Sequence, residues 1–179
     1  MRDSDLKIEL LQSSALSTDQ HDQLVGMCTT AYGEDIAPAF RDVGAGSHVL
    51  GRLNDEIVSH AMWVNRQLQV GGELMLITAY VELVATSPKY QGRGFATQVM
   101  QRLQRHVHEY ELAALSPADT TLYERLGWEY WRGDLHIRTN GALESTPDES
   151  VMILRLPRTP EGLNTSDSLS AEWRPGEVW

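Results

Sequence analysis

Residues 74 to 86, Leu-Met-Leu-Ile-Thr-Ala-Tyr-Val-Glu-Leu-Val-Ala-Thr, form a nearly continuous apolar run that leads straight into Ser87-Pro88-Lys89-Tyr90-Gln91-Gly92-Arg93-Gly94. A run of this kind reads as a strand buried on both faces, which needs a sheet covered by helices. Thr78 interrupts it, and it falls far short of the ~20 apolar residues of a membrane helix, so no bilayer span is expected. Downstream of the glycines, Phe95, Val99, Leu103 and Val107 repeat at near-helical spacing. A buried central strand, a glycine-rich turn and an amphipathic helix therefore follow one another, and the rest of the chain must build a sheet around them.

The flanking segments supply that sheet. Residues 6 to 11 alternate like a half-buried strand. Ser17 can cap a helix and Gln20 can close a capping box. Leu24, Val25, Cys28 and Tyr32 form the helix stripe and Gly33 the stop. Residues 34 to 46 read as an irregular or helical connector with a flexible Gly44-Ala45-Gly46. Ser47 to Leu53 and Ile57 to Val64 read as a hairpin about Asn54-Asp55-Glu56, and Gly71-Gly72 as the next reversal. Beyond the central helix, residues 111 to 116 read as a short strand, Asp119 as the cap of a short helix, and Gly127 as its end. Trp128 to Trp131 and His136 to Arg138 extend as strand, 140 to 150 is turn-rich and acidic, and Val151 to Leu156 is expected to be the last strand.

Composition narrows the partners. With 179 residues the length suits one domain, at most with an appendage. Fifteen Lys and Arg against twenty-five Asp and Glu leave a net charge of −10, a field that repels nucleic-acid phosphates and anionic membranes and favours cationic ligands. Met1-Arg2-Asp3-Ser4-Asp5 lacks the apolar stretch of a secretory signal, so a cytoplasmic location is expected. Cys28, the single cysteine, reads as a small buried hydrophobe, and no internal disulfide is possible. His106 and His108 stand two apart and diverge on a helix, and no metal site is expected.

Gly92 and Gly94 allow backbone amides to converge, Ala96 keeps the first helical turn small, and Arg93 adds a guanidinium, a combination that suits a pyrophosphate at a helix start. Spacing alone favours plain punctuation between strand and helix over a phosphate site. The motif Gln91-Gly92-Arg93-Gly94-Phe95-Ala96, after a long strand and before a helix, resembles the coenzyme A loop of GNAT acetyltransferases. That resemblance implies an α/β fold: a single GNAT-type domain, residues 1–158, with a central mixed, splayed sheet flanked by helices. It also implies acetyl-CoA as co-substrate, bound by residues 91 to 96 together with Val84 and Ala85. Within the family, Tyr80-Val81-Glu82, Leu115-Ser116, Leu122-Tyr123 before Gly127-Trp128, and the terminal Trp173-Arg174-Pro175-Gly176-Glu177-Val178-Trp179 resemble the aminoglycoside 2'-N-acetyltransferases.

The closer resemblance implies acetylation of an amino group, the 2' position being expected, on a cationic amino-sugar antibiotic. Resistance and a homodimer are the accompanying expectations. The resemblance makes Glu82 the candidate proton acceptor or a partner of the substrate ammonium, amides near Val84 the candidate oxyanion donors if the strand bulges, and Tyr123 the candidate acid for the leaving thiolate, its alternative role being an aromatic anchor beside Leu122 and Leu126. On the same resemblance Asp35, Ser116, Asp148, Glu177 and Trp179 are candidate substrate contacts, the alternative being solvated loop residues, and the tail 159–179 is expected to complete the substrate site rather than to hang free. Three departures fit a divergent, kasugamycin-type member at least as well as a broad-spectrum enzyme. Gly33-Glu34-Asp35-Ile36 stands where the family carries Gly-Asp-Phe, Gly46-Ser47-His48 where it carries Gly-Gly-Met-His, and Glu177 where it carries Asp. The other readings are acetylation of a different small amine or a polypeptide amine, and a coenzyme A-binding regulatory module without catalysis.

Overall fold

A computed structural model describes residues 6–179; the charged segment Met1–Asp5 lies outside the described residues. The chain divides into two compact units, one built from the chain up to Val64 with Val81–His106, the other from Asn65–Tyr80 with Val107–Trp179.

In the first unit, strand β1 (Lys7–Gln12) pairs antiparallel with β2 (Ser47–Leu53), which pairs antiparallel with β3 (Glu56–Val70). Helix α1 (Thr18–Tyr32) starts as its sequence requires: Ser17 Oγ accepts the Gln20 N–H at 3.2 Å and Gln20 Oε1 accepts the Ser17 N–H at 3.0 Å. Gly33, left-handed at φ 78, ends it. Leu24, Met27 and Cys28 are its buried face, and full burial of a Leu or Met side chain stabilises by roughly 1.5–3 kcal/mol. Tyr32, expected on that stripe, lies outside it and donates its hydroxyl to the Val84 carbonyl at 3.0 Å. Helix α2 (Ala37–Val43) occupies the connector. Gly46 is packed rather than flexible: a Cβ there would sit 2.4 Å from the Trp63 carbonyl.

The long central strand is β4 (Leu74–Thr86), and helix α3 (Phe95–Gln104) follows the glycine turn. Val99, Met100 and Leu103 are the buried residues of α3; Val107 is buried but lies past its end. The early part of β4 is not covered on both faces, since Leu74, Met75 and Ile77 are exposed.

The second unit carries β5 (Leu112–Leu115), the short α4 (Thr121–Arg125), β6 (Glu129–Tyr130), β7 (Leu135–Thr139), β8 (Ala142–Ser145), β9 (Met152–Arg155) and β10 (Leu169–Glu172). Its strands follow the order β6-β9-β5-β4-β3-β10-β7-β8. The sheet is mixed, because β4–β5 and β10–β7 run parallel while β5–β9, β3–β10 and β7–β8 run antiparallel. Val151 to Leu156 is therefore not the last strand. Leu169–Ala171 registers with Leu68–Val70 on one side, and Leu169–Glu172 with Leu135–Arg138 on the other.

The hairpin of β7 and β8 turns on Asn140 and Gly141, both at positive φ (48 and 83), the pairing that Asn-Gly turns favour. The strand expected to stop at Val64 continues to Val70, with Arg66, Leu68 and Val70 buried in alternation. Among the described residues no helix is long and apolar enough to cross a membrane.

Candidate functional site

The glycine turn is closed from within. Pro88–Tyr90 makes a 3-10 turn, and the Gln91 side-chain amide donates to the Thr86 carbonyl at 3.2 Å. Gly92 (φ 76) and Gly94 (φ 77) are both left-handed, and a Cβ on either would meet nothing within 4 Å. Glycine is thus demanded by the dihedrals, while the space over the loop is open. Gly94 is the N-cap of α3 and no side chain caps that end, leaving first-turn N–H groups and the positive end of the helix dipole free for an anion. Lys89 Nζ and the Arg93 guanidinium lie over the Tyr90 ring at 4.9 and 5.5 Å, and the Tyr90 hydroxyl donates to Glu56 at 2.8 Å. Open amides flanked by two cations fit a diphosphate group.

In β4, Leu83 adopts φ 51, a left-handed conformation rare for a residue with a Cβ. Side chains take up three successive carbonyls there: His60 Nδ1 lies 2.7 Å from that of Leu83, Tyr32 donates to that of Val84, and Ser59 Oγ donates to that of Ala85 at 3.2 Å. Glu82 and Val84, on either side of Leu83, are half-buried. In the same unit Asp35 is exposed and its Oδ1 accepts the Ala37 N–H at 3.1 Å, capping the start of α2.

In the second unit Tyr123 is buried on α4, its ring edge-on to Trp128 at 6.1 Å. Burial first, and the Asp119 carboxylate second, push its phenol up to about 12. The hydroxyl therefore keeps its proton at neutral pH. Ser116 is exposed immediately past β5.

The chain after β9 is docked by its own side chains. Trp179 is buried and its indole N–H donates to Thr146 Oγ1 at 2.9 Å, which joins the segment carrying Glu177 to the loop carrying Asp148 and Glu149, all three exposed. Arg66, 4% exposed, donates to the Glu172 carbonyl at 2.7 Å, to Glu172 Oε1 at 3.2 Å and to the Val178 carbonyl, with its guanidinium 4.9 Å over the Tyr80 ring. Arg174 lies over the same ring at 5.7 Å and donates to the Glu177 carbonyl at 2.7 Å. Trp173, by contrast, is exposed.

A family model described as an acetyltransferase (GNAT) domain matches residues 12–131. The chain belongs to the GNAT acetyltransferases. As a GNAT protein it is an N-acetyltransferase in kind, and its loop at 91 to 96 and the left-handed Leu83 of β4 lie within the matched span. The aminoglycoside 2'-N-acetyltransferase of Mycolicibacterium fortuitum is 29% identical over 177 residues, covering 95% of this chain and 90% of that protein. The GNAT family protein YhbS of Escherichia coli, solved in complex with CoA, superposes with a TM-score of 0.64 at 17% identity, covering 96% and 93% of the two chains. A GCN5-related N-acetyltransferase from Kribbella flavida superposes at 0.57 with 24% identity over 72% of this chain; the chain spans 34% of that protein's length.

Among the GNAT residues anticipated from sequence, Asp35, Glu82, Val84, Ala85 and the loop 91–96 fall in the first unit. Ser116, Tyr123, Asp148, Glu177 and Trp179 fall in the second. Sequence reading missed Arg66, His48 and His60. Arg66 had a signal: it occupies the inward register of Val64, Leu68 and Val70, where a lone arginine must find buried partners.

Proposed function

We propose that this GNAT chain transfers the acetyl group of acetyl-CoA to an amino group, the 2' amine, of an aminoglycoside-type antibiotic and so confers resistance. The observation that carries the reading is the open, doubly left-handed glycine loop at the uncapped start of α3, which suits the pyrophosphate of coenzyme A. Support for a cationic acceptor comes from the exposed carboxylates of Asp148, Glu149 and Glu177, on segments joined by the Trp179–Thr146 bond, and from the net charge of −10. The M. fortuitum relative supports an amino sugar in particular.

In this reading the amine nitrogen attacks the thioester carbonyl carbon, a C–N bond forms and the C–S bond breaks. Glu82 takes the proton released by the substrate ammonium, and the backbone N–H groups at Val84 and Ala85 carry the developing oxyanion. The Tyr123 phenol returns a proton to the departing thiolate. Asp35, Ser116, Asp148 and Glu177 hold the ammonium and hydroxyl groups of the sugar, Trp179 orders the segment 159–179, and that segment completes the acceptor site.

The test is release of free coenzyme A across a panel of amines that includes kasugamycin, broad-spectrum aminoglycosides, simple polyamines and a lysine peptide. Release that depends on the amino sugars supports the proposal; release indifferent to every amine overturns it. Gly94→Val tests the loop. The left-handed dihedral costs a branched residue about 1–2 kcal/mol, and the side chain enters the open space rather than the protein core. Calorimetry should show coenzyme A affinity reduced ~10-fold or more in a folded variant, and unchanged affinity removes the loop assignment. The pair Asp148→Asn and Glu177→Gln tests the acceptor side. Exposed ion pairs are worth roughly 0.2–1 kcal/mol each, so KM for the amino sugar should rise about 2- to 30-fold when both are replaced. That rise should shrink as salt increases, while coenzyme A affinity holds.

A further inference from the structure

A residue with a Cβ at left-handed φ is disfavoured by about 1–2 kcal/mol and persists only where its surroundings over-determine it. At Leu83 the determinant is a buried hydrogen-bonded chain whose protons can be assigned one by one. The Leu83 carbonyl only accepts, so His60 Nδ1, 2.7 Å away, carries the proton. The neutral ring then has a bare Nε2, which faces His48 Nδ1 at 3.0 Å, so His48 also holds its proton on Nδ1. With both rings neutral, the bare Nε2 of His48 takes the Ser13 hydroxyl proton at 2.8 Å in preference to the Gly46 carbonyl, 3.1 Å from Ser13 Oγ, and Ser13 Oγ in turn accepts the Gly46 N–H at 2.9 Å. Each joint has one donor and one acceptor.

The far end of this chain is anchored. Ser13 N–H donates to the Gly46 carbonyl at 2.9 Å, and Gly46 sits where no side chain fits. Burial lowers His60 to about 3 and His48 to about 4, with each further lowered by a neighbouring histidine, His48 and His21 respectively. Cys28 Sγ, 4.0 Å from His60 Nδ1, is pushed up to about 12 by burial, so it brings no charge. Phe40 faces the His60 ring at 6.0 Å. Both rings stay neutral at ordinary pH.

We propose that His60, aligned by His48 and Ser13, is a positioning residue for acetyl transfer: its Nδ1–H holds the Leu83 carbonyl and thereby aims the Val84 N–H at the acetyl carbonyl oxygen. This rests on the reading of Val84 as an oxyanion donor, so the first measurement does not involve turnover. Long-range proton–nitrogen correlation spectra of the 15N-labelled chain should show His60 protonated on Nδ1 and bare on Nε2 from about pH 6 to 8. An Nε2–H ring or an imidazolium there overturns the proposal.

The second measurement uses His60→Leu and His60→Asn. Asparagine places its amide nitrogen where Nδ1 stood; leucine keeps bulk and removes the donor. His60→Leu should lower kcat ~10- to 100-fold with KM for acetyl-CoA within about twofold, and His60→Asn should regain most of the loss. Wild-type kcat in His60→Leu overturns the proposal, as does a folded His60→Asn no better than His60→Leu, which would make the role one of packing. If the wild-type chain acetylates no amine, the proposed function fails on its own. The brace is then judged by the Val84 amide resonance, which should move in His60→Leu and return in His60→Asn; a resonance that stays put overturns it. If the leucine variant does not fold, the tautomer of the wild-type ring and the asparagine variant still decide.

Discussion

Tyr123→Phe should slow acetyl transfer by about 10²- to 10⁴-fold at saturating concentrations of both substrates while leaving coenzyme A affinity near its starting value. The variant keeps the ring, and with it the edge-on contact to Trp128 at 6.1 Å, so the loss reads the hydroxyl alone. A phenol pushed up to about 12 holds its proton throughout the working range. Tyr123 should therefore contribute no inflection to the rate between about pH 6 and 10. Glu82→Gln should show a different signature: its loss is largest at low pH, where the acceptor is an ammonium ion and a proton must be removed before attack. Single-turnover and steady-state rates as a function of pH separate the two. Losses near unity for both would leave them as packing or binding residues.

Arg66→Met should destabilise the protein by about 3 kcal/mol, because two hydrogen bonds from a charged donor to carbonyls, at roughly 1.5 kcal/mol each, disappear. Those carbonyls belong to Glu172 and Val178, so the segment from β10 onward loses its tether while methionine fills most of the volume. Arg66→Lys should not restore stability, since a single ammonium cannot span the same three acceptors in one plane. Urea titration reads the loss as a lower midpoint, and limited proteolysis should open new cleavage sites beyond residue 158. An unchanged midpoint in Arg66→Met would mean that the Trp179–Thr146 bond and the pairing of β10 suffice without the arginine.

What was legible in the sequence was local. The capping box of Ser17 and Gln20, the stop at Gly33, the reversal at Gly71-Gly72 and the bounds of β4 each follow from interactions within a few residues. So does the loop at 91 to 96, where two glycines precede a helical stripe. The misses have non-local causes. Nothing adjacent to Leu83 asks for a left-handed dihedral; it is held by a histidine from β3. Nothing adjacent to Leu169–Glu172 marks a strand, because its partners are β3 and β7. The polar run Asn65-Arg66-Gln67 looked like an end to β3 because arginine is seldom buried, and only the arrival of Val178 and Glu172 makes its burial affordable. The β7–β8 hairpin is the exception: Asn140-Gly141 was a local signal and went unread.

The place of β10 has a consequence for how the protein is made. The strand fills the gap between β3 and β7, yet it follows β3 by about a hundred residues, which a ribosome adds in about 5–20 s. Until it emerges, Leu68–Val70 and Leu135–Arg138 each present an unpaired edge to whatever else is in the cell. The sheet of the second unit is thus complete only once the last of its strands has been made.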